Sequence, residues 1–153
     1  MSSDLKILIK KFHDYIKYEK QYSELTIKNY STDLAQFINN IETNEISIIT
    51  TATLQDYISS LNKLGLNPST IARKKSAISS LFNFLCKKKL IDKNPCKKLI
   101  SPKRQSKIPT VMSISDINKL CDIKEDTLQA IRDKAIIELM YSSALRLSET
   151  TSL

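Results

Sequence analysis

Glycine is almost absent from this chain: Gly65 is the only one in 153 residues. Sheet-rich folds close their hairpins through tight turns with positive φ, so so little glycine excludes a fold built on many of them. The three cysteines, Cys86, Cys96 and Cys121, are odd in number and form no CxxC pair. With His13 as the sole imidazole, that spacing argues against a zinc site and fits free thiols in a reducing cytosol. No long apolar run, signal peptide or lipidation motif is present, so the sequence offers no membrane segment. Acid is scarce in one place only. From Tyr57 to Ser115 there is a single carboxylate, Asp92, against 13 Lys or Arg.

That middle stretch carries a net charge of +12 and the rest of the chain −4, within a total of +8. Such asymmetry marks a surface for a polyanion rather than a general solubility device. Nucleic acid is favoured over an anionic membrane, because nothing in the chain anchors it to lipid. The length suits one full domain, or one small domain and part of another. Many Ile, Leu and Lys residues at helical spacing predict an all-α chain.

Asp4 to Lys20 reads as a first helix, with Leu5, Leu8, Ile9, Phe12 and Ile16 as its apolar stripe. His13 lies beside that stripe with no nucleophile near it, as a boundary residue. Ser23 is a good N-cap for a second helix, whose stripe is Ile27, Tyr30, Leu34, Phe37, Ile38 and Ile41. Thr50 opens a third through Leu54, Tyr57, Ile58 and Leu61, which Gly65 ends.

The fourth helix, NPSTIARKKSAISSLFNFLCKKK from Asn67 to Lys89, organises the rest. Asn67 caps it, and Pro68 suits the first helical position, where its missing N–H has no partner anyway. Ile71, Ile78, Leu81, Phe82 and Leu85 gather on one arc and predict a buried face. The opposite arc carries Arg73, Ser76, Ser79, Ser80 and Asn83, with Ala72 beside them. These are short donors and acceptors plus one long cation. A solvated helix face mixes Glu and Lys, whereas this acid-free one can lie against phosphates and base edges without repulsion. Lys75 falls within the apolar arc, near the helix start, where its stem can lie along the core while its ammonium reaches out.

Between Leu90 and Met112, three prolines (Pro95, Pro102, Pro109) and six cations interrupt the helical pattern. This predicts an extended basic connector, and hence a domain of residues 1–100, a linker at 101–112 and a second domain from 113. Beyond it, Ser113 or Ser115 can cap a short helix containing Ile117 and Leu120. A longer helix from Leu128 to Ser142 is expected to bury Ile131, Ala135, Ile136, Leu139 and Met140. ALRLSETTSL then begins another helix, so the second domain is expected to be incomplete within these residues.

Several of these stretches occur in one order and spacing: LTIKNYSTDLAQF, STIARKKSAISSLFNFL, IDKNPCKKLISPK with Ile108-Pro109 following, and RDKAIIELMYSSALRLSE. The series resembles the tyrosine recombinases of the phage-integrase superfamily, and within it the Xer-type chromosome-dimer resolvases. The second helix is similar to that family's Thr-x-x-x-Tyr-x-x-Asp-Leu-x-x-Phe pattern. The resemblance runs from about Phe12 to Glu149.

It implies a SAM-like helical core-binding domain of four or five helices, a basic linker, and the opening helices of a catalytic domain, clamped around duplex DNA. It assigns DNA contacts to Lys28 and Asn29 on the second helix and to Thr70, Arg73, Lys74 and Ser76 on the fourth. Lys103, Arg104 and Lys107 would follow the phosphate backbone through the linker. Arg146 matches the first of the family's two catalytic arginines, and Glu149 could orient it. A guanidinium can bridge two non-bridging phosphate oxygens, which suits Arg rather than Lys.

The family cuts and rejoins DNA through a 3′-phosphotyrosyl link, as a homo- or hetero-tetramer on two duplexes, with no metal or nucleotide cofactor. Its other catalytic groups (a Lys, a His-x-x-Arg pair, a further His or Trp, and the nucleophilic Tyr) have no match here. These 153 residues are therefore expected to bind double-stranded DNA without cleaving it. One departure is Ala144, where the family usually has Gly at a sharp turn before the Leu-Arg pair. The runner-up reading is an integrase of a phage or mobile element. From other classes, a helical DNA-binding regulator and a protein-interaction module for an acidic partner share the basic middle.

Overall fold

The computed structural model of the chain describes residues 4–41, 43, 45–99, 111–122 and 127–153. The described elements are all-α, and the only β feature among them is an isolated bridge between Asp4 and Glu45. The chain divides into two compact units, Met1–Gln105 and Ser106–Leu153.

The first unit holds α1 (Leu5–Asp14), α2 (Glu24–Asn40), α3 (Thr51–Lys63) and α4 (Pro68–Lys87), with short 3₁₀ turns at Ile46–Ile48 and Pro95–Lys98. Each helix starts where a short polar side chain takes up an orphan amide. The Ser23 hydroxyl accepts from Thr26 N–H, and Asn67 Oδ1 accepts from Ser69 N–H at 3.0 Å. Thr50 and Thr53 cap one another reciprocally. Gly65 stands just past α3 with φ +71°, the left-handed residue that ends a helix at little steric cost.

The first helix is interrupted where an unbroken one was expected. From Tyr15 to Glu19 the chain widens into a π turn, in which Lys20 N–H reaches back to Tyr15 C=O at 3.0 Å. Ile16 stays buried within it, and the Tyr15 ring lies 4.8 Å from Phe84.

α4 is the central strut, touching α1, α2 and α3. Ile71, Ile78, Leu81, Phe82 and Leu85 are all buried, as their spacing predicts, against Phe12, Leu34, Phe37 and Ile58 from the other helices. Each such side chain contributes roughly 1.5–3 kcal/mol by leaving water. That inward face fixes which side of α4 is left outside.

The second unit contains α5 (Ile114–Cys121), α6 (Leu128–Ser143) and α7 (Leu147–Thr150). Ser113, not Ser115, caps α5, in a reciprocal pair with Asp116. The burial expected along α6 is not found. Ala130 is buried, but Ile131, Ile136 and Leu139 are exposed and Ala135 is open too. Among the described residues of this unit α6 packs chiefly against the short α5 and α7, which cannot cover its length.

Candidate nucleic-acid interface

The outer face of α4 is a shallow trough lined by Ala72, Lys75, Ser76, Ser79, Ser80 and Asn83. Ser76 is exposed, and its hydroxyl donates to Ala72 C=O one turn back at 2.9 Å. Among the described residues no carboxylate lines the trough. Its width is set by small side chains, so another molecule's backbone can come close to the helix.

One edge of the trough is fastened to the segment after α4 by Asn94, which is 6% exposed. Its amide nitrogen donates to Ser79 C=O at 3.1 Å and to Asn83 Oδ1 at 2.8 Å. Its Oδ1 accepts from Cys96 N–H at 2.8 Å, and Thr51 Oγ1 donates to Pro95 C=O. Lys75 Nζ donates to Leu99 C=O at 2.6 Å, so its ammonium ends on the same segment rather than in bulk solvent. These bonds hold Lys93, Lys97 and Lys98 exposed around a pocket that also includes Asn83, Thr50, Thr51 and one carboxylate, Asp92. Sequence reasoning did not single these three lysines out. The signal was an Asn-Pro pair amid cations, a turn that needs something to grip.

Across α2 the arrangement differs from the expected one. Lys74, assigned above to a DNA contact, is 3% exposed and points inward. Its ammonium donates to Asp33 Oδ1 at 3.0 Å and also to Gln36 Oε1. It is a support beneath the face rather than a group on it, because it follows Ile71 and precedes Ile78 at the spacing of the buried arc. Arg73 shares the same carboxylate: Nη1 donates to Asp33 Oδ2, while the side chain keeps 40% of its surface open. Asp33 is 1% exposed, so one buried carboxylate ties two cations of α4 to α2.

The other expected contacts stand as follows. Lys28 is exposed on α2, with Thr32 donating to its carbonyl, and Asn29 is half-buried one turn before Asp33. Thr70 is half-buried one turn before Lys74. Lys103, Arg104 and Lys107 lie outside the described residues.

Two further groups are buried near these charges, Tyr57 by Asp33 and Cys96 by Lys75. The Tyr57 hydroxyl is buried with no hydrogen-bond partner among the described residues. Burial, and next the Asp33 charge, push its pKa up to about 12. Burial likewise raises the Cys96 thiol to about 12, with Lys75 opposing the shift.

In the second unit, Ala144 ends α6 at φ +51°, ψ +32°, the left-handed conformation that the sequence makes costly for anything but Gly. Two residues on, Arg146 starts α7. Its backbone N–H donates to Glu149 Oε2 at 2.8 Å, and its Nη1 donates to Glu149 Oε1 at 2.9 Å. The side chains of Arg146 and Glu149 are thus brought together, with the Arg 82% exposed and able to meet an anion. Tyr141 is exposed on α6.

Residues 9–89 match the phage integrase N-terminal SAM-like domain. The chain is 35% identical over 150 residues to a tyrosine recombinase XerC of Psychromonas ingrahamii, covering 96% of this chain and 50% of that protein. It is 31% identical to a XerC of Bacillus subtilis, over 98% of this chain and 51% of the relative. It is also 28% identical to a XerD of Oceanobacillus iheyensis, over 97% and 52%. The chain therefore spans about half the length of the curated relatives it matches. A helical core in which the trough on α4 is lined, among the described residues, without a carboxylate, an arginine at the turn after α6, and these matches agree: the chain belongs to the phage-integrase family, among the Xer-type tyrosine recombinases.

Proposed function

We propose that these residues are the DNA-binding part of a site-specific recombinase, with α2 and α4 of the first unit set against duplex DNA. The observation that carries this is the outer face of α4 together with the Asn94 clip. They present Ser76, Ser79, Ser80 and Asn83 beside Lys93, Lys97 and Lys98, all within a stretch whose only acid is Asp92. Serine hydroxyls and an amide suit phosphates and base edges, and the lysines supply the sequence-independent attraction. In this reading Lys28, Arg73, Ser76 and, at the margin, Asn29 and Thr70 contact DNA, and Lys74 stays a buried support. Lys103, Arg104 and Lys107 would track the backbone between a core-binding domain and the start of a catalytic domain.

Arg146 would bind the phosphate under attack. Phosphoryl transfer builds negative charge on the non-bridging oxygens, and a fork of N–H donors stabilises it more as the charge grows. The Glu149 carboxylate holds one arm of that fork and the backbone before it, so it sets direction. Strand exchange through a 3′-phosphotyrosyl link conserves the energy of the phosphodiester and needs neither metal nor nucleotide. No tyrosine here matches the family's nucleophile, so the proposal gives these 153 residues binding and not cleavage. The relatives' names, XerC and XerD, favour an Xer-type recombinase over a mobile-element integrase. The family resemblance gives that type the resolution of chromosome dimers, in the cytoplasm before cell division, by a tetramer of recombinases.

The test is duplex binding titrated with salt. Affinity should fall steeply, by about 0.9 per neutralised phosphate in the log–log slope. Lys28→Ala and Lys97→Ala should each flatten that slope by about one phosphate. Binding that is weak at low salt, or a slope unmoved by both substitutions, would overturn the reading.

A further inference from the structure

We propose that Asp33 is a positioning residue for DNA recognition: it locks the Arg73 guanidinium in one orientation on the binding face, with Lys74 cancelling the charge that doing so introduces. The inference rests on the DNA-binding reading above and adds to it the device that aims Arg73.

The electrostatics explain why one carboxylate has two cations. A carboxylate close to a phosphate surface repels it, so an Asp–Arg pair alone would yield a neutral face. Here Asp33 is 1% exposed, and Lys74, at 3%, occupies its other oxygen. Gln36 accepts a further Lys74 proton, which leaves the ammonium well satisfied. The cluster sums to one positive charge, and the part of it that reaches the surface is Arg73.

The geometry explains why Arg stands at position 73. Guanidinium is planar with five N–H donors in a rigid fork. Only Nη1 is engaged, by Asp33, among the described residues, and 40% of the side chain faces out. Fixing one corner of a planar group fixes the directions of its remaining donors. An untethered arginine must lose that rotamer freedom on binding, whereas this one loses it when α2 and α4 pack together. Among the described residues no carboxylate holds the exposed Lys28 on α2, which suits a general phosphate contact. Arg73 suits a contact in which direction matters.

The experiment is a double-mutant cycle with the 153-residue chain and a short mixed-sequence duplex at low salt. Asp33→Leu with Lys74→Met removes the buried charges together, so none is stranded, and exposed Gln36 turns to water. Arg73→Ala should weaken binding about tenfold in the unmodified chain and hardly at all where the tether is gone. Equal losses in both backgrounds would mean that Asp33 only holds the fold, and would overturn the positioning role alone. An unmodified chain that ignores the duplex would overturn the DNA reading, and this role with it. A second measurement needs no variant. ¹⁵N relaxation at Arg73 Nε should show an ordered side chain, and an order parameter below about 0.6 would overturn the lock.

Discussion

The Lys74 ammonium and the Asp33 carboxylate lie 3.0 Å apart, with 4% and 1% of their side chains open to water. This contact joins α2 to α4 at a point where every other inward residue of α4 is apolar. It divides the cations of α4 by what they do: Lys74 stabilises the packing of the helices, and Arg73 remains available above it.

Lys74→Ala should therefore behave as a core mutation, although it removes a lysine from a basic helix. Removing one partner of a buried pair leaves the other poorly compensated, at a cost of about 3 kcal/mol or more. Arg73 still faces Asp33 and moderates the loss. Urea denaturation should show the midpoint falling sharply for Lys74→Ala and staying unmoved for Lys28→Ala. Equal midpoints would mean that Arg73 compensates the buried Asp33 carboxylate without the ammonium.

Much of this architecture was legible in the chain, because local chemistry sets it. Ser23, Thr50 and Asn67 cap the helices that their positions suggest, and the Ile71–Leu85 arc is buried. The left-handed turn at Ala144 could be anticipated from one missing glycine. The inward turn of Lys74 was less visible, since lysine is read as solvated wherever it stands. Its place between Ile71 and Ile78 was the clue, and it needed Asp33, a lone acid between Tyr30 and Leu34, to be read with it. The grip of Asn94 on α4 depends on side-chain bonds between distant parts of the chain, which no periodicity reports. The apolar residues of α6 misled because spacing gives the face that seeks cover and not what covers it.

Asn94→Ala should loosen the trough more than its size suggests. The change deletes donors to Ser79 and Asn83 and strands Cys96 N–H, which is buried beside it. Leaving a buried amide unsatisfied costs about 1–3 kcal/mol. Hydrogen exchange should quicken at Cys96 and Leu99, and DNA affinity should drop with it as Lys93, Lys97 and Lys98 lose their fixed places. Unchanged exchange would show that the Thr51–Pro95 and Lys75–Leu99 bonds suffice.

Ala144→Gly should be stabilising, an unusual direction for a substitution that removes a methyl group. The residue sits at φ +51°, where a Cβ costs about 1–2 kcal/mol that glycine does not. The gain is local, so amide exchange at Arg146 and Leu147 is the readout, and it should slow. Faster exchange would mean that the added freedom of glycine in the unfolded chain outweighs the relieved strain.

Alkaline pH should destabilise the first unit through two buried groups. Tyr57 and Cys96 are each raised to about 12 in the folded state. Their unfolded values lie near 10 and 8.5. The folded state thus holds protons that the unfolded state releases, so both groups lend stability that is complete below the unfolded values. It declines as pH rises, from about 8.5 for the thiol and about 10 for the phenol, and is gone above about 12. Thermal melts across that range should show the midpoint falling in two overlapping stages. Tyr57→Phe should shrink the later one, to which the burial of Tyr30 also contributes, and at neutral pH it should leave stability equal or higher, because the hydroxyl it removes is buried without a partner among the described residues. A neutral-pH loss of stability would show instead that the hydroxyl contributes a bond, and an unchanged alkaline profile would place the titrating group elsewhere.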